Sequence, residues 1–426
     1  MTATAAPLRR PFEVAGLAST RRLDGGRLAL VATAVGVALL PLAVPTGPGN
    51  TAPIDVLIAV AFGASLLWAG TAGSRWRFPY VVPVALLLVG GALGALVGPV
   101  PQAGIIALVQ DLVLIAWCWT VVNISHTPAN LRTLLSTWVY SGIGWAILAF
   151  VGLATGSSLL TGQIERQGSR VQITLADPSY AANYFFITMM IIWATRRPSH
   201  RGMRFAMYAL LVAALATTGS NSGIVALTVG MVVATTLGIY RRSGIVPALT
   251  VFVFIMLGGY LAASNVSLGR IQAGAHESRY AFVRDGIGRS PQSAGQREML
   301  LHQSIHLYRT GNPLGEGPVS TKPRLQKEMV PLVKEAHNDY FAALIERGVL
   351  GFIGIFLLVS SLAARALSLF RAKLAEGFAA TVPRPNALVG AVAGTLVAGT
   401  VYELLHVRHV WALFAFLAAL SIWGTE

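Results

Sequence analysis

The chain is 426 residues long, 54% hydrophobic and only 12% charged. A soluble domain usually carries about 25% charged residues, so a water-soluble fold is excluded. The formal net charge of +15 does not mark a nucleic-acid partner, because the basic residues sit mostly in short loops between apolar runs, the pattern that sets membrane topology.

In chain order, residues 1–27 form a basic tail with Arg9, Arg10, Arg21, Arg22 and Arg27. The first apolar run, 28–44, is span-length and reads as an uncleaved anchor rather than a secretory signal. Further runs follow at 54–72, 80–98, 104–122, 133–153, 179–195, 205–218, 223–239, 245–263, 341–360, 387–403 and 410–424. Each is predicted to be a helix, since lipid satisfies no open backbone group and about 20 residues at about 1.5 Å each cross a core of about 30 Å. The expected fold is an all-α polytopic membrane protein of about 12 transmembrane helices. It divides into the cytoplasmic tail 1–27, spans one to nine over 28–263, an extracytoplasmic loop 264–340, and spans ten to twelve over 341–426.

With the N-terminus inside, the cytoplasmic loops hold Arg75, Arg77, Arg132, Arg196, Arg197, Arg201, Arg204, Arg241, Arg242, Arg365, Arg371, Lys373 and Arg384. Leaving aside the last residue, Glu426, their acids, with those of the tail, are only Glu13, Asp24 and Glu376, which places both termini in the cytoplasm. The turn TTGSNSG at 217–223 must separate two helices, because fusing its flanks would invert every later loop and break the charge rule at Arg241 and Arg365. The single cysteine, Cys118, lies inside an apolar run, so no intramolecular disulfide staples the outer loop.

Two outer loops are long enough to carry chemistry, 154–178 and 264–340. In the first, Arg166 and Arg170 precede Asp177-Pro178, a helix start with a capping carboxylate and proline at the first helical position. Two guanidiniums near a helix N-terminus suit phosphate or carboxylate, with ordinary surface charge as the plainer alternative. The second loop contains an amphipathic helix, EMLLHQSIHLYRT, expected to group Leu301, Ile305 and Tyr308 on one face and Glu298, His302, His306 and Arg309 on the other. Glu298, His302 and His306 have helical spacing but no clustered fourth ligand, which favours a solvated face over a metal site. The loop ends in EAHNDYFAALIERGVLG, where Asn338 or Asp339 would cap span ten. His337, between Glu335 and Asp339 at the membrane boundary, is a competent general base near neutral pH. Glu403, His406, Arg408 and His409 form a polar outer turn between the last two spans, and Asp111 beside Gln110 is an acid within a span.

Four motifs resemble the O-antigen ligase and polymerase family, membrane glycosyltransferases of the Wzy-C type. They are R-x-x-x-R…DPSYAANY before span six, TGSNSG between spans seven and eight, SAGQREMLLHQSIHLYRTGNPLGEG in the large loop, and HNDYFAALIERGVLG into span ten. Where the family commonly has Ser-Arg, this chain has Ser220-Asn221, and the tryptophan usual after the position of Arg297 is absent. The resemblance implies a GT-C-like fold in a bacterial cytoplasmic membrane and transfer of a glycan from a polyprenyl diphosphate carrier to an acceptor hydroxyl on the outer face. The transfer inverts the sugar and needs no metal or other cofactor. Arg166, Arg170 and Arg297 are then the diphosphate ligands, His337 is the base, and Glu403, Arg279 and Glu335 are further site candidates. The partners would be the lipid-linked donor, a lipid or glycan acceptor and membrane lipids, with no nucleic acid. The competing class is a transporter or flippase of lipid-linked or anionic solutes, in which the same arginines bind cargo, although a transporter normally holds its site near mid-membrane.

Overall fold

A computed structural model of the chain describes residues 25–44, 51–73, 76–164, 168–265, 273–279, 284, 292–330 and 332–425. Each of the twelve apolar runs coincides with a helix. In order these are α1 (Gly25–Ala38), α2 (Pro53–Ala72), α3 (Val81–Val97), α4 (Pro101–Ile124), α5 (Pro128–Thr155), α6 (Pro178–Thr195), α7 (Arg201–Thr217), α8 (Asn221–Ser243) and α9 (Ile245–Asn265). The intervening segment contributes α10 (Gln292–Thr310) and α11 (Thr321–Lys327). Then come α12 (Asp339–Arg371), the short α13 (Glu376–Thr381), α14 (Pro385–Ala398) and α15 (Arg408–Trp423). Among the described residues, five helices, α2, α4, α5, α8 and α12, are long and apolar enough to cross a membrane, and α1, α3, α9, α14 and α15 are shorter apolar helices.

The local signals explain the helix starts. Asp177 caps α6 by accepting from Ser179 N at 2.6 Å, with Pro178 behind it. Thr127 caps α5 ahead of Pro128. The 217–223 turn does separate two helices: Gly219 adopts φ 56° and Ser220 caps α8 through Gly223 N at 3.3 Å. Span eleven ends earlier than expected, at Ala398, so Glu403 belongs to the connection before α15.

Burial sorts the helices into layers. α6 is buried along nearly its whole length, α15 from His409 to Leu420, and α14 over most of its residues, so these three form the centre. A helix that is apolar all round needs such a place. α8 crosses α14 closely through small residues. A Cβ on Gly390 would stand 2.3 Å from Gly230 O, and one on Gly394 2.3 Å from Ala226 O, so only glycine permits the approach. On the periphery, Leu67, Leu96, Phe205 and Phe254 are each at least 68% exposed. So large an apolar surface matches lipid rather than water.

Contacts between helix ends define two faces of the bundle. At one, Arg408 meets Asp55, Ala43 N meets Thr174 O, and Asp339 meets the α14–α15 connection. At the other, Arg384 N donates to Ala194 O, Asn123 bonds the backbone of Arg77, and Ala375 N donates to Gly424 O. The loop arginines gather at this second, arginine-rich end.

The expected face of α10 is corrected. Leu300, Ser304 and Leu307 are buried, whereas Leu301 and Tyr308 are 42% and 41% exposed and Ile305 is half-buried. Leu307 packs with Leu325 and Ile345, which selects a ridge shifted by about one residue from the one with the larger side chains. His302 and His306 are exposed.

Candidate active site

The site is built where α12 begins. Asn338 Oδ1 accepts from Tyr340 N (2.9 Å) and Phe341 N (3.1 Å), so asparagine is the cap. Asp339 is thereby free to turn its carboxylate toward the α14–α15 connection. There it accepts from Leu404 N at 3.0 Å and Leu405 N at 3.1 Å, while its own N–H donates to Gly399 O at 2.9 Å. The aspartate therefore fixes the loop that carries Tyr402, Glu403 and His406.

His337 precedes this junction in a left-handed conformation, φ 48°, uncommon for a residue with a Cβ. Its backbone N–H donates to Glu403 Oε1 at 3.0 Å, and its ring stacks on Tyr402 with centroids 5.1 Å apart. Across the loop, Tyr180, on the first turn of α6, lies with its hydroxyl 2.5 Å from His406 Nε2. Its ring meets those of Tyr402 and His406 edge-on.

Beside this cluster opens a cavity of about 370 Å³ with two kinds of wall. Val84, Leu87 and Leu88 from α3 with Ala107, Leu114 and Ile115 from α4 make one side mainly apolar, interrupted by Gln110 and Asp111 of α4. Tyr180, Glu335, Glu346, Arg347, Glu403 and His406 line the other. Arg347 is held by Asp111 at 2.7 Å, and Arg408 by Asp55 through bonds of 2.9 and 2.5 Å. Glu346 accepts from Val319 N at 3.1 Å and Thr321 Oγ1 at 2.8 Å, which fastens the 312–321 loop to α12.

That loop explains GNPLGEG. Gly348 interrupts α12 at φ 61°, ψ −161°, and the open backbone is closed by the loop, with Glu316 N on Ile345 O (3.0 Å), Gly317 N on Glu346 O (2.9 Å) and Val349 N on Pro313 O (3.1 Å). A Cβ on Gly348 would stand 2.3 Å from Pro313 O.

Electrostatics divides the titratable groups. Burial, reinforced by Glu346, Glu335 and Asp339, pushes the Glu403 carboxyl well above its ordinary range. Burial pushes His406 down, against the pull of Glu335, which favours a neutral imidazole beside the Tyr180 hydroxyl. Burial opposes charge on Glu335 as well, but the Lys322 ammonium at 2.6 Å holds that carboxyl below its usual range.

Of the residues singled out in the sequence, Gln110, Asp111, Glu335, Asp339, Glu403, His406 and Arg408 come together here, with His337 adjoining through Glu403 and Tyr402. Arg170 lies elsewhere: it is buried against the α7–α8 turn, its Nε donating to Thr218 O at 2.8 Å. Arg279 is exposed and is not among the residues lining the cavity. Arg166 and the side chain of Arg297 fall outside the described residues. Sequence reasoning missed Tyr180, Glu346 and Arg347. The signal for the last two was an adjacent Glu-Arg in an apolar run, seven and eight residues after Asp339 and so on its helical face.

Residues 206–356 match the family model of the O-antigen ligases. The match takes in the turn before α8, the α10–α11 segment and the start of α12, and the resemblance carried by those motifs is thereby shown. No curated protein matches the chain.

Proposed function

We propose, from that O-antigen ligase match as premise, that this membrane protein is a glycosyltransferase that moves a glycan from a polyprenyl diphosphate carrier to an acceptor hydroxyl. The observation that carries the reading is the two-sided cavity at the start of α12. A mainly apolar wall from α3 and α4 suits an isoprenoid chain, and the wall of ionisable groups opposite suits a sugar and its acceptor. In the proposed step the acceptor O–H gives its proton to His337 while its oxygen attacks the anomeric carbon. The bond from that carbon to the diphosphate oxygen breaks, with inversion, and polyprenyl diphosphate leaves.

Charge on the leaving group needs fixed cations. Arg347 and Arg408 already face carboxylates, so we assign the diphosphate to Arg166 and Arg297, and Arg170, held against the α7–α8 turn away from the cavity, drops out of the expected set of three. Glu403 acts on His337 by holding its backbone. The loop end of the bundle would then face away from the cytoplasm, as the arginines at the opposite end require.

The test is a transfer assay with purified protein in liposomes and a defined polyprenyl diphosphate glycan, read by product mass. His337→Ala should lower turnover about 100-fold to 10,000-fold, the usual weight of a positioned base, with donor binding retained. His302→Ala and His306→Ala should leave it near the wild-type rate. Because His406 lines the cavity and Tyr180 stands 2.5 Å from it, that pair is the second assignment for the base. It replaces the first if His337→Ala and His337→Gln both transfer at the wild-type rate.

A further inference from the structure

At the arginine-rich end a second crevice, of about 400 Å³, opens between α6, α8 and the start of α14. Its wall carries Arg241 and Arg242 from the last turn of α8 and Arg384, which caps the approach to α14. No acidic side chain is among the described residues of that wall, and none of the three arginines forms an ion pair with a described carboxylate. This differs from the opposite cavity, where each arginine faces an aspartate.

The crevice has a definite shape. Asn386 is fixed by its Nδ2 donating to Ala234 O at 2.7 Å, and Gly238 leaves room beside it, since a Cβ there would stand 2.9 Å from that amide nitrogen. Arg384 N is tied to Ala194 O at 3.1 Å, and Arg241 lies 5.7 Å from the Phe370 ring. Trp193 completes the lining. Burial, together with the charges of Arg196, Arg242 and Arg204, makes Arg384 less basic than usual, the mark of cations crowded without a counter-charge. Just beyond, Ile245 and Val246 are 55% and 70% exposed. A ligand here thus meets guanidiniums, an aromatic ring and then bare apolar helix.

We propose that this crevice binds the phosphodiester headgroup of an anionic membrane lipid, with Arg241, Arg242 and Arg384 on the phosphate and the acyl chains running along the exposed start of α9. Basic pockets between helices recognise such headgroups by charge and fork geometry. The crevice lies at the opposite end of the bundle from the cavity assigned to transfer, and the inference does not depend on that assignment.

The full-length protein in detergent, titrated with phosphatidylglycerol or phosphatidylcholine and read by native mass spectrometry, tests it. Saturable retention of phosphatidylglycerol over phosphatidylcholine is expected. It should weaken roughly fivefold for each arginine replaced in the series R241Q, R242Q and R384Q, the weight of one basic residue at an anionic surface. Thr235→Phe, which fills the crevice wall and keeps every charge, should also abolish the preference and serves if the arginine variants fail to insert. Equal retention of both lipids, or unchanged retention in Thr235→Phe, overturns the site. Competition by inorganic phosphate or glycerol phosphate at equal concentration overturns the lipid assignment in favour of a soluble anion.

Discussion

Replacing Asp339 by alanine should undock the 399–407 connection while leaving the helices in place. The carboxylate accepts two backbone N–H groups, Leu404 at 3.0 Å and Leu405 at 3.1 Å, and Asp339 is only 8% exposed. Alanine leaves both donors without a partner in a largely dry site, at about 1–3 kcal/mol each, or about 2–6 kcal/mol together. At about 1.4 kcal/mol per tenfold, local opening becomes roughly 30-fold to 20,000-fold more frequent. Asparagine keeps one oxygen acceptor and should fall near the lower bound. Hydrogen exchange of the peptide spanning Gly399 to Val407, compared in wild type and the two variants, reads the change directly. Exchange of Leu404 and Leu405 at the wild-type rate in Asp339→Ala would refute the claim that this carboxylate holds the loop.

Gly348→Ala should lower thermal stability in detergent, by about 1–3 kcal/mol from the backbone conformation alone, with the approach to Pro313 O added, whereas Gly144→Ala, with open space at its Cβ, should not; equal melting temperatures for the two would remove the kink from the account. Glu403→Gln keeps an acceptor for His337 N but loses the raised carboxyl. Because the folded value lies above the ordinary 4.5, the folded state binds the proton more tightly, and wild-type stability should fall as pH rises from about 4.5 through the folded value. A melting-temperature profile of Glu403→Gln should lack that component, and a profile parallel to wild type would contradict it. For topology, an impermeant thiol reagent applied from outside should label a cysteine substituted at Ser293 but not one at Ser199, and the reverse labelling would invert the proposed orientation.

What was legible in the sequence was whatever is encoded locally. The twelve helices follow from run length, and the caps at Asp177 and Asn338 follow from short-range chemistry. The α7–α8 turn followed from the alternation of charge. The site itself depends on pairs distant in the chain, such as Tyr180 with His406, 226 residues apart, and Asp55 with Arg408, 353 apart, for which no spacing rule exists. The α10 face was misread for a related reason. That helix carries little amphipathic signal of its own, and its buried ridge is chosen by Leu325 and Ile345. The polar turn holding Glu403, His406 and Arg408 was expected between the last two spans, but span eleven was drawn too long, because α14 stops at Ala398 and the chain turns there to meet Asp339.

The break in α12 bears on how the chain is made. A span that enters lipid with carbonyls exposed at Ile345 and Glu346 would incur several kcal/mol for each until they are satisfied. The amides that satisfy them, on Glu316 and Gly317, lie about thirty residues earlier in the chain and are synthesised first. The donors are thus already synthesised when the interrupted span emerges, and its closure needs no later segment. A deletion within 312–319 would accordingly be felt during biogenesis, as failure of the tenth span to leave the insertion machinery, before any loss in the finished protein.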